Sequence, residues 1–233
     1  MRFSLLLNLG IVVLFGLAVW AQSPSRPSTS RSSSGHSSSA PGQKPPADSG
    51  IEAGSVANGI YRNKGLGLSY KIPAGWVLRT EEMNADKSSP DASAENPQPQ
   101  RAQRDTKEHV VLLAAFSRPA EARGEDVNAS VVIAAEGVEA YPGLKEAGQY
   151  FGPLTEVATA QGFTVDEEPY EVEVGEKKLV RGDFHKDVGT RVMRQSTLVW
   201  LAHGYAVSIT VIGGTEDEVE GLIDEVNFDS KTR

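Results

Sequence analysis

The sequence predicts an α+β domain, a largely antiparallel sheet sandwiched between helices or under folded-over loops. Three observations carry that reading. Val110 to Phe116 and Val131 to Ala135 are apolar at every position rather than every second one, as in strands covered on both faces. Around them, runs of period two are joined by short turn sequences, as in antiparallel pairs. Two further stretches space their apolar residues by three and four, which supplies helices.

In chain order, Leu68, Tyr70 and Ile72 alternate with smaller or polar residues, a half-buried strand. Ile72-Pro73-Ala74-Gly75 then places Pro and Gly where a type I turn wants them, and Trp76-Val77-Leu78 restarts the chain as the next strand. After the two continuously apolar strands comes a helix over 144–161. Leu144, Ala147, Tyr150, Phe151, Leu154, Val157 and Ala158 share one face, Gly152-Pro153 kinks or divides it, and Gly162 stops it. Val172 to Val174, Leu179 to Phe184 and Arg191 to Thr197 follow as strands, separated by Gly175-Glu176 and by the Asp187-Val188-Gly189 turn region.

The clearest hairpin joins residues 197–202 to 205–211 across His203-Gly204. A two-residue loop sets Trp200 opposite Val207 and Leu198 opposite Ile209, so one face is wholly apolar. The last helix opens on Thr215-Glu216-Asp217-Glu218, a capping box with acidic residues suited to the positive end of the helix dipole. Val219, Leu222, Ile223 and Val226 form its apolar stripe.

Outside these elements the chain reads differently. Residues 1–21 have a positive start at Arg2, an apolar run from Leu5 to Trp20 and the small residues Val19 and Ala21 before a cut, which reads as a signal peptide. The alternative is an uncleaved N-terminal anchor, since the run approaches the length that crosses a bilayer. Residues 22–57, rich in Ser, Pro and Gly, read as a disordered linker, and about 84–107 as a disordered loop inside one domain over 58–230. The protein is therefore expected to be exported, periplasmic or extracellular.

Cysteine is absent from the 233 residues. That excludes disulfides, thiol catalysis, thiolate metal sites and a lipobox anchor, so the domain must hold together by its core. From His109 onward there are 11 Lys and Arg against 22 Asp and Glu. An acidic domain repels phosphate backbones and anionic lipid heads, so no nucleic acid and no bare membrane surface is expected as a partner.

Leu66 to Trp76, with its strand, Pro-x-Gly-Trp turn and second strand, resembles the opening of PsbP-like domains. The likeness continues through the Tyr150-Phe151 helix, the Gly204-Tyr205-Ala206 hairpin and a final helix over 215–228, covering about Gly59 to Ser230. The resemblance implies an α-β-α sandwich. It also implies a binding or assembly module rather than an enzyme, since such domains include photosystem accessory subunits, a Ran-binding protein and exported bacterial proteins. Its matching positions are turn and core residues, so no functional residue is carried over.

Few residues suggest chemistry by themselves. Asp183, His185 and Asp187 alternate, so on a strand all three point to one face with ligand types suited to zinc or manganese. The segment runs into a turn, Arg181 and Lys186 are close, and no second ligand cluster accompanies it, so a solvated strand end is the expected outcome. His203 reads as a turn residue, His109 as the start of a buried strand, and His36 lies in the linker. There is no Gly-x-Ser-x-Gly elbow, and Gly65-Leu66-Gly67 precedes a strand rather than a helix, the wrong context for a phosphate. Asp166-Glu167-Glu168, Glu171 and Glu173 read as exposed edge charges, and Asn128-Ala129-Ser130 as a formal glycosylation acceptor beside a buried run.

No catalytic residue, cofactor or required metal is expected. The expected function is an exported, non-catalytic binding or assembly module with a protein partner in the cell envelope. The alternatives are a carrier of a small apolar ligand and a hydrolase using a metal or paired carboxylates.

Overall fold

The computed structural model describes residues 50–86, 109–122, 124 and 126–229. The two continuously apolar runs are neighbouring strands of the large sheet. β5 (His109–Phe116) and β6 (Ser130–Gly137) pair antiparallel, and β11 (Tyr205–Gly213) pairs with β6 on its other side. β10 (Arg191–Ala202) and β9 (Lys177–Val188) extend the sheet from β11. Short strands close its margins: β4 (Val77–Leu78) beside β5, and β7 (Thr164–Val165) and β8 (Tyr170–Val174) beside β9.

A second, smaller sheet joins β1 (Ser55–Ala57), β2 (Ile60–Asn63), β3 (Leu68–Lys71) and β12 (Val226–Phe228), in that order. Among the described residues, three α-helices accompany the sheets: α1 (Thr80–Asp86), α2 (Phe151–Ala160) and α3 (Glu216–Ile223).

Strand alternation divides the core between two faces of the large sheet. On the first, Leu113, Ile133, Leu198, Trp200, Val207 and Ile209 lie under Val219, Leu222 and Ile223 of α3 and under Tyr70, Leu68 and Phe228 of the small sheet. On the second, Phe184, Val199 and Ala206 lie under Tyr150, Phe151 and Ala158, while Val111, Ala114 and Phe116 pack with Met83 of α1. The molecule is thus an α+β protein, an α-β-α sandwich about a largely antiparallel sheet. The small sheet shares a layer with α3, an arrangement that the sequence did not suggest.

Several local expectations hold. The β10–β11 hairpin turns at His203-Gly204, both with positive φ, and pairs Trp200 with Val207 and Leu198 with Ile209. The predicted helix over 144–161 is divided, into a 3₁₀ turn Ala147–Tyr150 and α2. Pro153 then falls in the first turn of α2, where its missing N–H breaks no helical bond.

Several expectations need correction. Gly75 has φ of +83° and Trp76 donates to the Pro73 carbonyl at 3.3 Å, so the turn is type II rather than type I. Val226 is not helical: α3 ends at Ile223, and Val226 pairs with Tyr70 in the small sheet. It satisfies both periods, since it lies three residues past Ile223 and two before Phe228. Residues 50–57, read as linker, include β1, and the Tyr61 hydroxyl and Asn63 amide donate to the carbonyls of Ala53 and Glu52. Backbone groups hold that segment, so its composition gave no sign of it. Asn84, read as loop, belongs to α1 and exchanges two hydrogen bonds with the backbone of Val111. The predicted signal peptide, the linker before Gly50 and residues 87–107 of the loop lie outside the described residues.

Candidate functional site

β9 has a distinct polar face. Its even positions Gly182 and Phe184 turn toward α2, and a Cβ at Gly182 would lie 2.8 Å from Cδ1 of the Phe151 ring. No side chain larger than hydrogen fits there without moving Phe151. The odd positions Leu179, Arg181, Asp183, His185 and Asp187 therefore face the α3 side, with Leu179 in the core and Asp187 exposed.

Arg181 is the hub of this face, with 14% of its side chain exposed. Its Nε donates to both Asp183 carboxylate oxygens at 3.0 Å. Its terminal nitrogens form a two-pronged pair with Glu220 of α3, one bond measuring 3.1 Å. The Tyr170 hydroxyl, from β8, donates to Asp183 Oδ2 at 2.8 Å. Burial opposes the arginine charge, but the bonds to Glu220 and Asp183 outweigh it and leave the guanidinium more firmly protonated than usual. Burial, with the Asp183 charge behind it, pushes the Tyr170 hydroxyl up to about 12.

The metal candidates Asp183, His185 and Asp187 do share a face, but each has separate surroundings. Asp183 is held by Arg181 and Tyr170. His185 donates through Nδ1 to Asp166 and lies in register with Arg194 of β10. Asp187 is exposed near the hairpin tip. Among the described residues no three His, Asp or Glu are placed to hold one ion.

A recess of about 440 Å³ opens beside Arg181, between β8, α3 and β12. Val172, Val174, Leu198, Ile223 and Val226 give its apolar lining, and Glu173, Arg181, Glu220 and Asp224 its polar lining.

A second polar contact lies on the opposite face, where the Tyr150 hydroxyl donates to Glu136 and the Tyr141 ring stands edge-on to Tyr150 at 5.3 Å. Burial and then the Glu136 charge raise both tyrosine pKa values. This contact fixes the 3₁₀ turn onto β6. Sequence reasoning missed both clusters. The available signals were a carboxylate closing the apolar run of β6 and an Arg and Asp two apart on a strand face. Elsewhere, His203 donates from Nε2 to the Gly65 carbonyl at 3.0 Å, and His109 opens β5 opposite Glu136. The Asn128 side-chain amide donates to the Arg118 carbonyl at 3.1 Å and accepts from Ser117 Oγ, so the formal glycosylation nitrogen is used to close the β5–β6 connection.

No family description and no curated protein matches the chain. Among solved structures, LpqN of Mycobacterium tuberculosis, described as involved in cell envelope biogenesis, is similar at 10% identity and a TM-score of 0.34, over 70% of this chain and 83% of that one. The Ran-binding protein Mog1p of Saccharomyces cerevisiae is similar at 14% identity and 0.35, over 72% and 83%. A Pseudomonas aeruginosa protein of unknown function, a suggested regulator, is similar at 15% and 0.33, over 45% and 75%. Likenesses this slight leave the description of the fold resting on its own strand order.

Proposed function

We propose that this chain is a non-catalytic, PsbP-like module that binds a protein partner, and that it works in the cell envelope after export. The observation that carries the reading is the closure of the Arg181 cluster on itself. Arg181, Asp183, Glu220 and Tyr170 bond to one another, which ties β9 to α3 and β8 and commits these four side chains to holding the elements together rather than to a substrate. The acidic charge of the domain and the leader-like first 21 residues support the envelope and a protein partner. A carrier of an apolar ligand needs a closed apolar cavity, whereas this recess opens to solvent between carboxylates.

The test is crosslinking of the full chain in its native host, followed by purification from the envelope fraction. A protein captured in saturable amount, with crosslinks on residues 50–229, is the expected result. Turnover of a hydrolase substrate that disappears when His185 or Asp183 is replaced would overturn the reading.

A further inference from the structure

β8 lines the recess, and among the described residues it pairs with β9 alone. The two-residue loop Gly175-Glu176 makes Val174 and Lys177 the closing pair of this hairpin. By antiparallel alternation, Tyr170, Val172 and Val174 then spend their backbone groups on β9. Glu171 and Glu173 turn their N–H and C=O groups to the open side. Side chains alternate the other way. Val172 and Val174 are half-buried and face the recess, while Glu171 and Glu173 are exposed.

We propose that the open edge of β8 is the docking site for an extended basic segment of the partner protein, added as one more strand. This inference rests on the protein-binding reading above and specifies its surface. Unspent backbone donors and acceptors at a sheet edge supply the affinity of such strand addition, and alternate side chains supply its specificity. Residues of the added strand opposite Val172 and Val174 face the recess that these valines line, with about 440 Å³ of room. Residues opposite Glu171 and Glu173 come within about 5 Å of them, Cβ to Cβ, where opposite charge stabilises and like charge repels.

The matching segment therefore alternates Lys or Arg with apolar residues. A second copy of this chain would set Glu against Glu along the same edge, so self-pairing is disfavoured. Among the described residues, the ion pair already made here, Glu173 with Lys178 at 4.0 Å, joins side chains 70% and 73% exposed and is readily exchanged. Charge on a free edge guards against indiscriminate pairing. Here the same charge selects the partner.

The experiment uses the full chain and three synthetic peptides: one alternating lysine with valine, the same peptide N-methylated on the amides that face β8, and one alternating glutamate with valine. Titration calorimetry and amide hydrogen exchange read the outcome. The lysine peptide is expected to bind and to slow exchange at Glu171 and Glu173, and the N-methylated form to fail. Glu171→Lys with Glu173→Lys, both exposed changes, should weaken the lysine peptide about tenfold and create binding of the glutamate peptide. Binding that survives N-methylation or charge reversal unchanged overturns the proposal, as does absence of binding by the lysine peptide. An envelope partner captured equally by the wild type and the double variant overturns the docking edge while the protein-binding reading stands; capture by the wild type alone supports both.

Discussion

Arg181 sits where water is scarce, and two carboxylates and a tyrosine meet there. Replacing it with Ala should cost about 2 to 3 kcal/mol in urea unfolding, since Asp183, only 18% exposed, loses its guanidinium partner and is left with the neutral Tyr170 hydroxyl. Glu220→Gln should cost less than about 1 kcal/mol, because that side chain is 45% exposed and water can replace the guanidinium. Tyr170 adds a pH dependence. An unfolded tyrosine loses its proton near pH 10, while burial and Asp183 hold the folded one to about pH 12. Its contribution is therefore complete below pH 10 and is lost as pH rises from 10 to 12. Phenolate absorbance should show Tyr70, Tyr141 and Tyr150, raised further by burial, ionising only as the protein unfolds. His185 and Asp166 are each about one-third exposed, so His185→Ala and a chelator should each leave the melting temperature within about 2 °C of the untreated protein.

At the scale of elements, α3 depends on its first turn. The Thr215 hydroxyl accepts from the Glu218 N–H at 3.1 Å, and the Glu218 carboxylate accepts from Gly214 rather than from Thr215, one residue earlier than a capping box requires. Thr215→Ala should cost about 1 kcal/mol, measured by chemical unfolding. This terminus was legible in the sequence because a cap is a local device. The β10–β11 register was legible for the same reason, a two-residue turn fixing every pair beyond it. Val226 was misread because three-residue and two-residue periods coincide there, and only its pairing with Tyr70, remote in sequence, decides between them. The Arg181 cluster escaped for a related reason: Arg181 and Asp183 are neighbours on one strand, but Glu220 arrives from a helix 39 residues on. The sequence shows β8 as a strand with exposed edge charges, but its half-buried valines acquire meaning only from the recess that α3 and β12 complete.

Across the whole molecule, the segment 50–86 is tied to the rest along its length: β3 to β12, Gly65 to His203, β4 to β5, and Asn84 of α1 to Val111. A single proteolytic cut within 87–108 should therefore leave two pieces that elute together in size exclusion under native conditions and separate in denaturant. Separation without denaturant would show that these ties do not form one core. The pairing of β3 with β12 also bears on the order in which the structure can be made. Tyr70 meets Val226, and Lys71 meets Glu225 at 3.3 Å across 154 residues of chain. Such remote closure makes for slow folding, because the entropy of drawing the ends together is spent before any contact rewards it. A ribosome must have delivered residues 226–228 before β12 can join the small sheet over Trp200, so β3 waits for its second neighbour while the whole of the large sheet is being synthesised.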